Sequence, residues 1–495
     1  MAAARVATAR GPVGLLGVGT AALLLAVAAR YGPHRDEMYF VRVGGAPAWG
    51  YVDQPPLTPL LAHAFDALTG GSLVGLRVPS ALMAGLVVVL TGLLAAEFGG
   101  GRRAQVIAAA SAAVSSFLLA TAHLLSTTTV DVLVWTLLSW LVVRALRDGG
   151  AGWLAVGAVA GIGLENKLQP AFLLGALLIG VLTVGPRAAL RSRWPWLGGA
   201  VALALWAPNL VWQAAHGFPM FAVAASIAAG GSASSQPWYL FPPFLVVLVS
   251  PLLVPVWALG WWRLARDPAL ATWRAFAPAS ALLVVVFMAT GGKPYYVAGL
   301  YPVLLAAGGE PVAAWTRRSV GRARVFVAAL TLALINNALI VLPVLPVTAI
   351  AVSNALNPDL GETVGWPKFA ETVAGVRAGL TDARVAVLAR NYGEAGAVDR
   401  YLPALRPAHS GHNAYWDLGP PPADATAVIV VGYRAEQLQA WFGRVEQATV
   451  VDNGVGLDND EQGVPVWVAR DPRAPWPELW PQLRPRLTGG ARTSP

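Results

Sequence analysis

The sequence predicts an α-helical polytopic membrane protein with an α/β domain at its C-terminal end. Of the 495 residues, 56% are hydrophobic and only 12% are charged, and the mean hydropathy is +0.57. Soluble proteins contain about 25% charged residues. Apolar runs of about 17 to 25 residues, the length that crosses a bilayer, recur up to residue 351 and are absent after it. These two observations separate a membrane domain, residues 1–351, from a soluble tail, residues 352–495.

The apolar runs predict about eleven transmembrane helices. The first is followed by a long polar loop, at about residues 30–78, before the second begins. Two of the runs are short for a span. The predicted spans lie near residues 11–29, 79–97, 104–121, 130–146, 152–166, 170–185, 196–213, 238–262, 275–291, 295–309 and 325–349.

The distribution of Lys and Arg predicts the orientation. If the N-terminus is inside, sixteen Lys or Arg residues fall in inner loops and five in outer loops, with Arg77 ambiguous. Because cytoplasmic loops are enriched in positive charge, the N-terminus is predicted inside and the tail outside. Arg5, Arg10 and the apolar run ending in Ala-Val-Ala at 26–28 also fit a cleavable signal peptide, which would leave the remaining topology unchanged.

The net charge of +9 does not indicate a nucleic-acid partner. The membrane domain carries a net charge of +12 and the tail a net charge of −3, so the positive excess belongs to membrane loops. The chain has no cysteine, which excludes disulfides, thiolate metal sites and a cysteine nucleophile. We expect membrane lipids as partners and no nucleic acid.

The tail has the pattern of an α/β domain. Short runs rich in β-branched residues predict strands, and apolar residues at helical spacing predict helices. The predicted strands are 385–389, 427–432 and 464–469, and the predicted helices are 369–380 and 435–442.

A polar island, His-Arg-Asp-Glu at residues 34–37, follows the first apolar run and is the candidate active site. Ionisable groups cost roughly 2.5 to 3.5 kcal/mol each at a helix centre, so carboxylates beside the membrane indicate a function. We predict Asp36 and Glu37 to be catalytic, although a solvated helix N-terminus would also favour two acids. Asp53 and Gln54 follow in the same loop, where Asp53 is either a site residue or a turn residue.

Two further outer positions carry chemistry. Asp131 is either a site acid or the cap of the helix that begins near Val130. Lys293 lies between two glycines and a Pro-Tyr-Tyr segment, which favours an anion-facing turn, yet a snorkelling lysine has the same pattern. We interpret Lys167, close to Glu165 in sequence, as structural.

A second polar cluster lies in the tail. Glu394 follows the first predicted strand, and His412 and Asn413 lie in a glycine-bearing segment. The edge where strands lead into loops and helices is a common ligand site in α/β domains, so these residues are candidates for the pocket. Buried polar turns that hold the domain together explain the cluster equally well. The two histidines of this cluster, His409 and His412, are three residues apart and are weak evidence for a metal site.

Five motifs carry a resemblance to a known family. They are Tyr-Val-Asp-Gln-Pro-Pro-Leu at 51–57, Trp-Ala-Pro-Asn-Leu at 206–210, Gly-Lys-Pro-Tyr-Tyr at 292–296, Asn-Tyr-Gly-Glu-Ala-Gly-Ala at 391–397 and Ser-Gly-His-Asn at 410–413. With an Asp-Glu pair in a large first outer loop, they resemble the GT-C membrane glycosyltransferases. The similarity is greatest to a bacterial branch of family 39, which includes protein O-mannosyltransferases and aminoarabinose transferases.

The resemblance implies an inverting transfer of a monosaccharide from a polyprenyl-phosphate donor to a lipid, glycan or protein acceptor. It implies a multi-pass protein of the bacterial cytoplasmic membrane, with Asp36 as the base and Asp131 as a second acidic position. It leaves a divalent metal open, with these two acids as its ligands. The implied donor-phosphate residues are Lys293, Arg35, Arg42, Tyr295 and Tyr296. The implied donor and acceptor pocket comprises His34, Tyr39, Asp53, Gln54, Asp131, Glu394, His412 and Asn413.

Two departures from the family pattern affect the donor phosphate. Aminoarabinose transferases have an Arg where this chain has Tyr39 and a Lys where it has Gln54. Both side chains are associated with the phosphate in that family. The phosphate role is therefore expected to fall mainly on Lys293.

Two other function classes remain open. In an ion-coupled transporter, the acids would be ion sites and the tail a receptor domain. Transport sites usually lie near the bilayer midplane, whereas these acids are predicted at the outer interface. A lipid-binding scaffold without catalysis is the third class.

Overall fold

The computed structural model describes residues 6–230 and 236–484. Its internal contacts divide the chain into two compact units. The helical unit lies within Met1–Ala28, Arg77–His216 and Ser234–Leu342. The α/β unit lies within Ala29–Leu76, Gly217–Ala233 and Pro343–Pro495, so it combines the first outer loop with the tail. The boundary predicted at residue 351 stays a prediction.

The chain is an α-helical polytopic membrane protein, as predicted. Five helices are long and apolar enough to cross a membrane. Three further pairs of helices pass the same test together but are bent, so the described residues provide five spans, or up to eight if each pair is one span. The predicted number of eleven is not confirmed, because the helices at three of the predicted spans have only 13 to 15 residues. A straight crossing needs about 20.

The helices of the helical unit include long spans, bent pairs and shorter apolar helices, and the first outer loop separates the first two long spans. The five long spans are Arg10–Val27, Leu73–Glu97, Thr127–Asp148, Pro294–Arg317 and Val320–Val341. The bent pairs are Arg102–Ala113 with Ser116–Ala122, Arg193–Ala215 with Pro219–Ala228, and Trp238–Val249 with Pro251–Arg266. Of these helices, Pro219–Ala228 is assigned to the α/β unit. The shorter apolar helices of this unit are Gly152–Leu164, Gln169–Thr183 and Phe276–Ala289.

Glycines let two of these helices approach until their backbones touch. A Cβ on Gly260 would lie 1.8 Å from the carbonyl oxygen of Leu304, and a Cβ on Gly308 would lie 1.9 Å from that of Val256. Small residues at such crossings allow close van der Waals packing, which drives helix association in membranes. The helices Val254–Arg266 and Tyr301–Arg317 are therefore fixed against each other by these two glycines.

The α/β unit contains a mixed five-stranded sheet. Its strands are β1 Val385–Ala389, β2 His409–Ser410, β3 Ala427–Val431, β4 Phe442–Val450 and β5 Pro465–Pro472. The order is β2-β1-β3-β5-β4, with β1 parallel to β2 and β3, and β5 antiparallel to β3 and β4. The α/β character of the tail and its three predicted strands are confirmed.

The helices that accompany the sheet in the α/β unit come from the first outer loop and from the tail. Arg35–Gly44 and Leu57–Leu68 belong to the first outer loop. The tail adds Ala351–Leu356, Pro358–Gly361, Trp366–Ala378, Tyr392–Tyr401, Ala435–Trp441 and Trp476–Leu483. The helix Ala435–Trp441 matches its prediction, and Trp366–Ala378 overlaps the other predicted helix with a shift of two or three residues.

Two glycines bring the loop helix Arg35–Gly44 against the tail helix Tyr392–Tyr401. A Cβ on Gly393 would lie 2.7 Å from the Cβ of Arg35, and a Cβ on Gly396 would lie 2.8 Å from the Cβ of Met38. No side chain fits at either glycine without displacing the neighbouring helix. This close packing brings the polar island and the tail motif at 391–397 together.

Candidate active site

The polar island forms the N-terminal turn of helix Arg35–Gly44. The Nδ1 of His34 accepts a hydrogen bond from the backbone N–H of Asp36 (3.2 Å), and the Oε2 of Glu37 accepts one from the backbone N–H of His34 (2.8 Å). Such reciprocal bonds satisfy donors that a helix start leaves open. The Glu37 side chain is fully buried in this cap, whereas that of Asp36 is 36% exposed. Of the two predicted catalytic acids, Asp36 is the accessible one.

Asp36 is hydrogen-bonded to a tyrosine of the tail. Its Oδ1 accepts a bond from the hydroxyl of Tyr392 (2.7 Å), and its Oδ2 lies 3.9 Å from the Nδ1 of His34. The ring of Tyr392 stacks on His412, with 4.9 Å between centroids, and lies 4.6 Å from the ring of Tyr39. Burial, and then the charge of Asp36, raise the pKa of Tyr392 well above its usual range. The phenol therefore stays protonated and donates to the carboxylate.

Asp53 is tied to the same aromatic group. Its Oδ1 accepts a bond from the hydroxyl of Tyr39 (2.8 Å), and its Oδ2 accepts one from the Nδ2 of Asn413 (2.9 Å). Burial raises the pKa of Asp53 to about 6, although both hydrogen bonds favour the charged form. Gln54 is buried beside it, and its Nε2 makes no hydrogen bond to any residue the structure describes. The predicted pocket residues of the first loop and of the tail thus meet in one cluster.

Acidic side chains of the tail hold two arginines that were predicted to bind the donor phosphate. The Nη1 of Arg35 lies 2.8 Å from the Oδ2 of Asp460 and 3.4 Å from the Oε2 of Glu362. The Nε of Arg42 lies 3.1 Å from the Oδ2 of Asp399. Each guanidinium therefore already faces a carboxylate, which leaves less of its charge for a phosphate. Their donor-phosphate role stays a prediction.

Glu394 and His412 occupy structural positions in the tail. The Oε2 of Glu394 accepts the backbone N–H groups of Arg390 (2.9 Å) and Asn391 (3.1 Å), which caps helix Tyr392–Tyr401. Burial raises the pKa of Glu394 to about 7. Burial also lowers the pKa of His412 to about 4, with Arg35 and Arg390 adding to the effect, so its imidazole is neutral at neutral pH.

The helical unit holds a separate cluster of lysines and tyrosines. The Nζ of Lys293 lies 5.8 Å from the ring centroid of Tyr295. The Nζ of Lys167 lies 5.8 Å from the same ring and 5.3 Å from that of Tyr296, and it donates a hydrogen bond to the Oγ1 of Thr128 (3.1 Å). An ammonium over an aromatic ring is held by a cation–π interaction. Lys167, interpreted from the sequence as structural, thus lies over the same Tyr295 ring as Lys293.

Asp131 lies in the same unit, near the start of helix Thr127–Asp148, and is buried. It does not cap that helix, which was the alternative to a site role. The cap is Ser126, whose Oγ accepts the backbone N–H of Thr129 (3.2 Å).

The acids and histidines do not form a metal site. Within residues 6–230 and 236–484, no group of three or more His, Asp or Glu side chains is arranged to hold a metal ion. The Nδ1 of His409, one of the two tail histidines, is hydrogen-bonded to the carbonyl oxygen of Gly419 (3.0 Å).

Comparison with known proteins agrees with this arrangement of helices and sheet. Residues 53–212 match the family model described as dolichyl-phosphate-mannose-protein mannosyltransferase. No curated protein sequence matches the chain significantly.

Solved structures match most of the chain. ArnT from Cupriavidus metallidurans, bound to undecaprenyl phosphate, has a TM-score of 0.64 at 14% identity, over 92% of this chain and 97% of that one. The apo form of ArnT has the same TM-score at 15% identity. The archaeal oligosaccharyltransferase AglB from Archaeoglobus fulgidus, solved with an inhibitory peptide and a dolichol-phosphate, has a TM-score of 0.47 at 11% identity, over 84% of this chain and 69% of that one. The match to ArnT confirms the resemblance seen in the motifs, and the chain has the fold of the GT-C membrane glycosyltransferases.

Proposed function

We propose that this protein is an inverting glycosyltransferase. It moves a monosaccharide from a polyprenyl-phosphate donor to a lipid, glycan or protein of the envelope, at the outer face of the bacterial cytoplasmic membrane. The observation that carries the proposal is the partly exposed Asp36 carboxylate, held by Tyr392 in the same cluster as Asp53. The fold shared with ArnT, which was solved with undecaprenyl phosphate, supports the donor class.

Asp36 acts as the general base. Its carboxylate takes the proton of the acceptor hydroxyl as that oxygen attacks the anomeric carbon, and its charge stabilises the positive charge that develops there. The bond between the anomeric carbon and the phosphate oxygen breaks on the opposite face, so the configuration inverts. Polyprenyl phosphate leaves with the electron pair of that bond. Glu37 supports Asp36 by holding the helix cap in which both acids lie.

Lysine ammonium groups stabilise the departing phosphate. Lys293 and Lys167, which share the Tyr295 ring, are the candidates in the helical unit. Preorganised cations at a developing phosphate charge lower the barrier without reorganisation during the reaction. Tyr295 and Tyr296 keep the two ammonium groups in place.

The acceptor hydroxyl binds at the cluster around Asp36. Tyr39, Asn413 and Asp53 form a hydrogen-bonded chain there, and Gln54 lies buried next to Asp53 in sequence. Tyr39 and Gln54 are buried, so this chain of hydrogen bonds supports the position of Asp36, and the acceptor hydroxyl meets the partly exposed Asp36 carboxylate itself.

The test is a transfer assay with the purified full-length protein in detergent. The donors are a panel of undecaprenyl-phosphate-linked hexoses and pentoses, and the readout is free undecaprenyl phosphate detected by mass spectrometry. We expect release from at least one donor, increased by an envelope extract that supplies the acceptor. Gradient-driven solute uptake by the same protein in proteoliposomes, without release from any donor, would instead identify a transporter.

A further inference from the structure

Tyr392 contacts Asp36 although 356 positions separate them in the chain. Its hydroxyl oxygen lies 2.7 Å from the Oδ1 of Asp36, which is the usual distance of an O–H···O hydrogen bond. The tail thus reaches the carboxylate that the proposed reaction uses as its base.

The backbone of Tyr392 is fixed on both sides. Tyr392 is the first residue of helix Tyr392–Tyr401, whose cap is closed by Asn391 and Glu394. The next residue, Gly393, packs so closely on Arg35 that a Cβ there would lie 2.7 Å from the Arg35 Cβ. The tail helix and the helix that carries Asp36 therefore keep a constant separation.

The ring of Tyr392 is fixed as well. It stacks on His412 with an interplanar angle of 26°, and its centroid lies 4.6 Å from that of Tyr39. Tyr39 is in turn held by its hydrogen bond to Asp53. A ring enclosed in this way can place its hydroxyl at only one point, so the hydrogen bond fixes the rotation of the Asp36 carboxylate.

We propose that Tyr392 is a positioning residue for Asp36. This inference rests on the proposed function, and it adds that the tail takes part in the chemical step. By holding Oδ1, Tyr392 fixes the orientation in which the Asp36 carboxylate meets the acceptor hydroxyl. A catalytic group that is misplaced by about 1 Å can lose about a hundredfold in rate.

The test is Tyr392→Phe, which removes only the hydroxyl. We expect kcat to fall by about tenfold to a hundredfold while the KM for the undecaprenyl-phosphate-linked donor stays within about twofold. Tyr415→Phe is the matched control. Its hydroxyl donates to Asp399 (3.0 Å) and not to Asp36, so it loses an equivalent buried bond and keeps its kcat.

The pH profile separates positioning from partial unfolding. A hydrogen bond to a carboxylate favours the charged form, so its loss moves the acidic limb of kcat/KM to higher pH, by about one unit. An inactive fraction would lower the rate without moving this limb. The other charged and titratable groups around Asp36 are unchanged in the variant: His34, Arg35, Tyr39, Asp53 and His412.

A second variant covers the case in which Tyr392→Phe does not fold. Incorporation of 3,5-difluorotyrosine at position 392 keeps the ring and makes the hydroxyl a stronger donor, so the acidic limb should move to lower pH. If the acidic limb of the kcat/KM profile stays unchanged in both variants and kcat equals that of wild type, Tyr392 does not position Asp36.

If the wild-type protein releases no undecaprenyl phosphate from any donor, the proposed function itself fails. This outcome is distinct from a failure of the role of Tyr392.

Discussion

Asp36, Asp53 and Glu394 of the α/β unit have different surroundings, which determine the exposure and the pKa of each carboxyl group. Asp36 is partly exposed and receives a hydrogen bond from Tyr392. Burial raises the pKa of Asp53 to about 6 and that of Glu394 to about 7. Asp36 combines partial exposure with a hydrogen bond that fixes its orientation, which is why we propose this residue as the base.

Asp53→Asn should change how stability depends on pH. Because the pKa of Asp53 is about 6 in the folded protein and 3.8 as the ordinary value, the folded state binds this proton more tightly. Wild type therefore loses stability as the pH rises from about 4 through 6, by about 3 kcal/mol in total, and the variant lacks this loss. Thermal unfolding should be measured in detergent at pH 4.5 and pH 7. The melting temperature of the variant relative to that of wild type should be higher at pH 7 than at pH 4.5.

The control for this experiment is Asp359→Asn, which removes a carboxylate from an exposed position of the same unit. The difference in melting temperature between Asp359→Asn and wild type should be similar at both pH values. A stability difference between Asp53→Asn and wild type that does not depend on pH would contradict the raised pKa of Asp53.

Lys293→Ala should lower kcat/KM for the donor by about tenfold or more, since a hydrogen bond to a charged group contributes about 1.5 to 3 kcal/mol. Lys368→Ala is the matched control because Lys368 is exposed and pairs with Glu371 on the surface of the tail. Initial rates at varied donor concentration provide the comparison. Unchanged donor kinetics in Lys293→Ala would show that this lysine only anchors its helix.

The sequence predicts single site residues when their type and location are unusual together. Asp36 and Asp53 stand out because they are acids in a polar loop between apolar spans. Tyr392 does not stand out, because its importance comes from a contact with a residue 356 positions away. The sequence also does not show the spatial neighbours of Lys167, since Tyr295 and Tyr296 are distant from it in the chain.

At the level of elements, helix packing in the helical unit depends on glycine. Gly260→Val should lower the thermal stability in detergent and the yield of folded protein, because its side chain would overlap the carbonyl oxygen of Leu304. Overpacking of this kind typically costs about 1 to 3 kcal/mol or more. Gly175→Val is the control, since a Cβ at Gly175 meets no atom within 4 Å. Equal melting temperatures for the two variants would contradict the close crossing.

The elements that the sequence predicts are those with a strong pattern. Strands β1 and β3 are buried β-branched runs and were predicted almost to the residue. Strand β4 was missed, because most of its residues are exposed and its sequence, Phe-Gly-Arg-Val-Glu-Gln-Ala-Thr-Val, lacks an apolar run. The number of spans was not predictable from hydropathy, because length and bending of a helix depend on its packing partners.

At the level of the whole molecule, the distribution of positive charge predicts which side each loop occupies. The absence of cysteine makes this testable, since any introduced thiol is the only one. A cysteine at exposed Asp359 should react with a membrane-impermeant maleimide in intact cells, and one at exposed Arg318 should react only after permeabilisation. The reverse pattern would invert the proposed orientation and place Asp36 on the side without the proposed substrates.

The division of the chain into units was only partly predictable. Composition separates the apolar part from the tail, but it does not show that the first outer loop joins the tail. That association rests on glycines 393 and 396 and on hydrogen bonds such as Tyr39 to Asp53 and Asn413 to Asp53. Contacts between distant segments depend on shape, which a hydropathy pattern does not encode.

The most direct test of this account compares wild type with Asp36→Asn in the release of undecaprenyl phosphate. Asparagine has nearly the same shape and still accepts the hydrogen bond of Tyr392, but it cannot take the acceptor proton. We expect the variant to fold, to elute and melt like wild type in detergent, and to lose at least about a hundredfold in kcat. Turnover by Asp36→Asn at the wild-type rate would remove Asp36 from the mechanism and contradict the account.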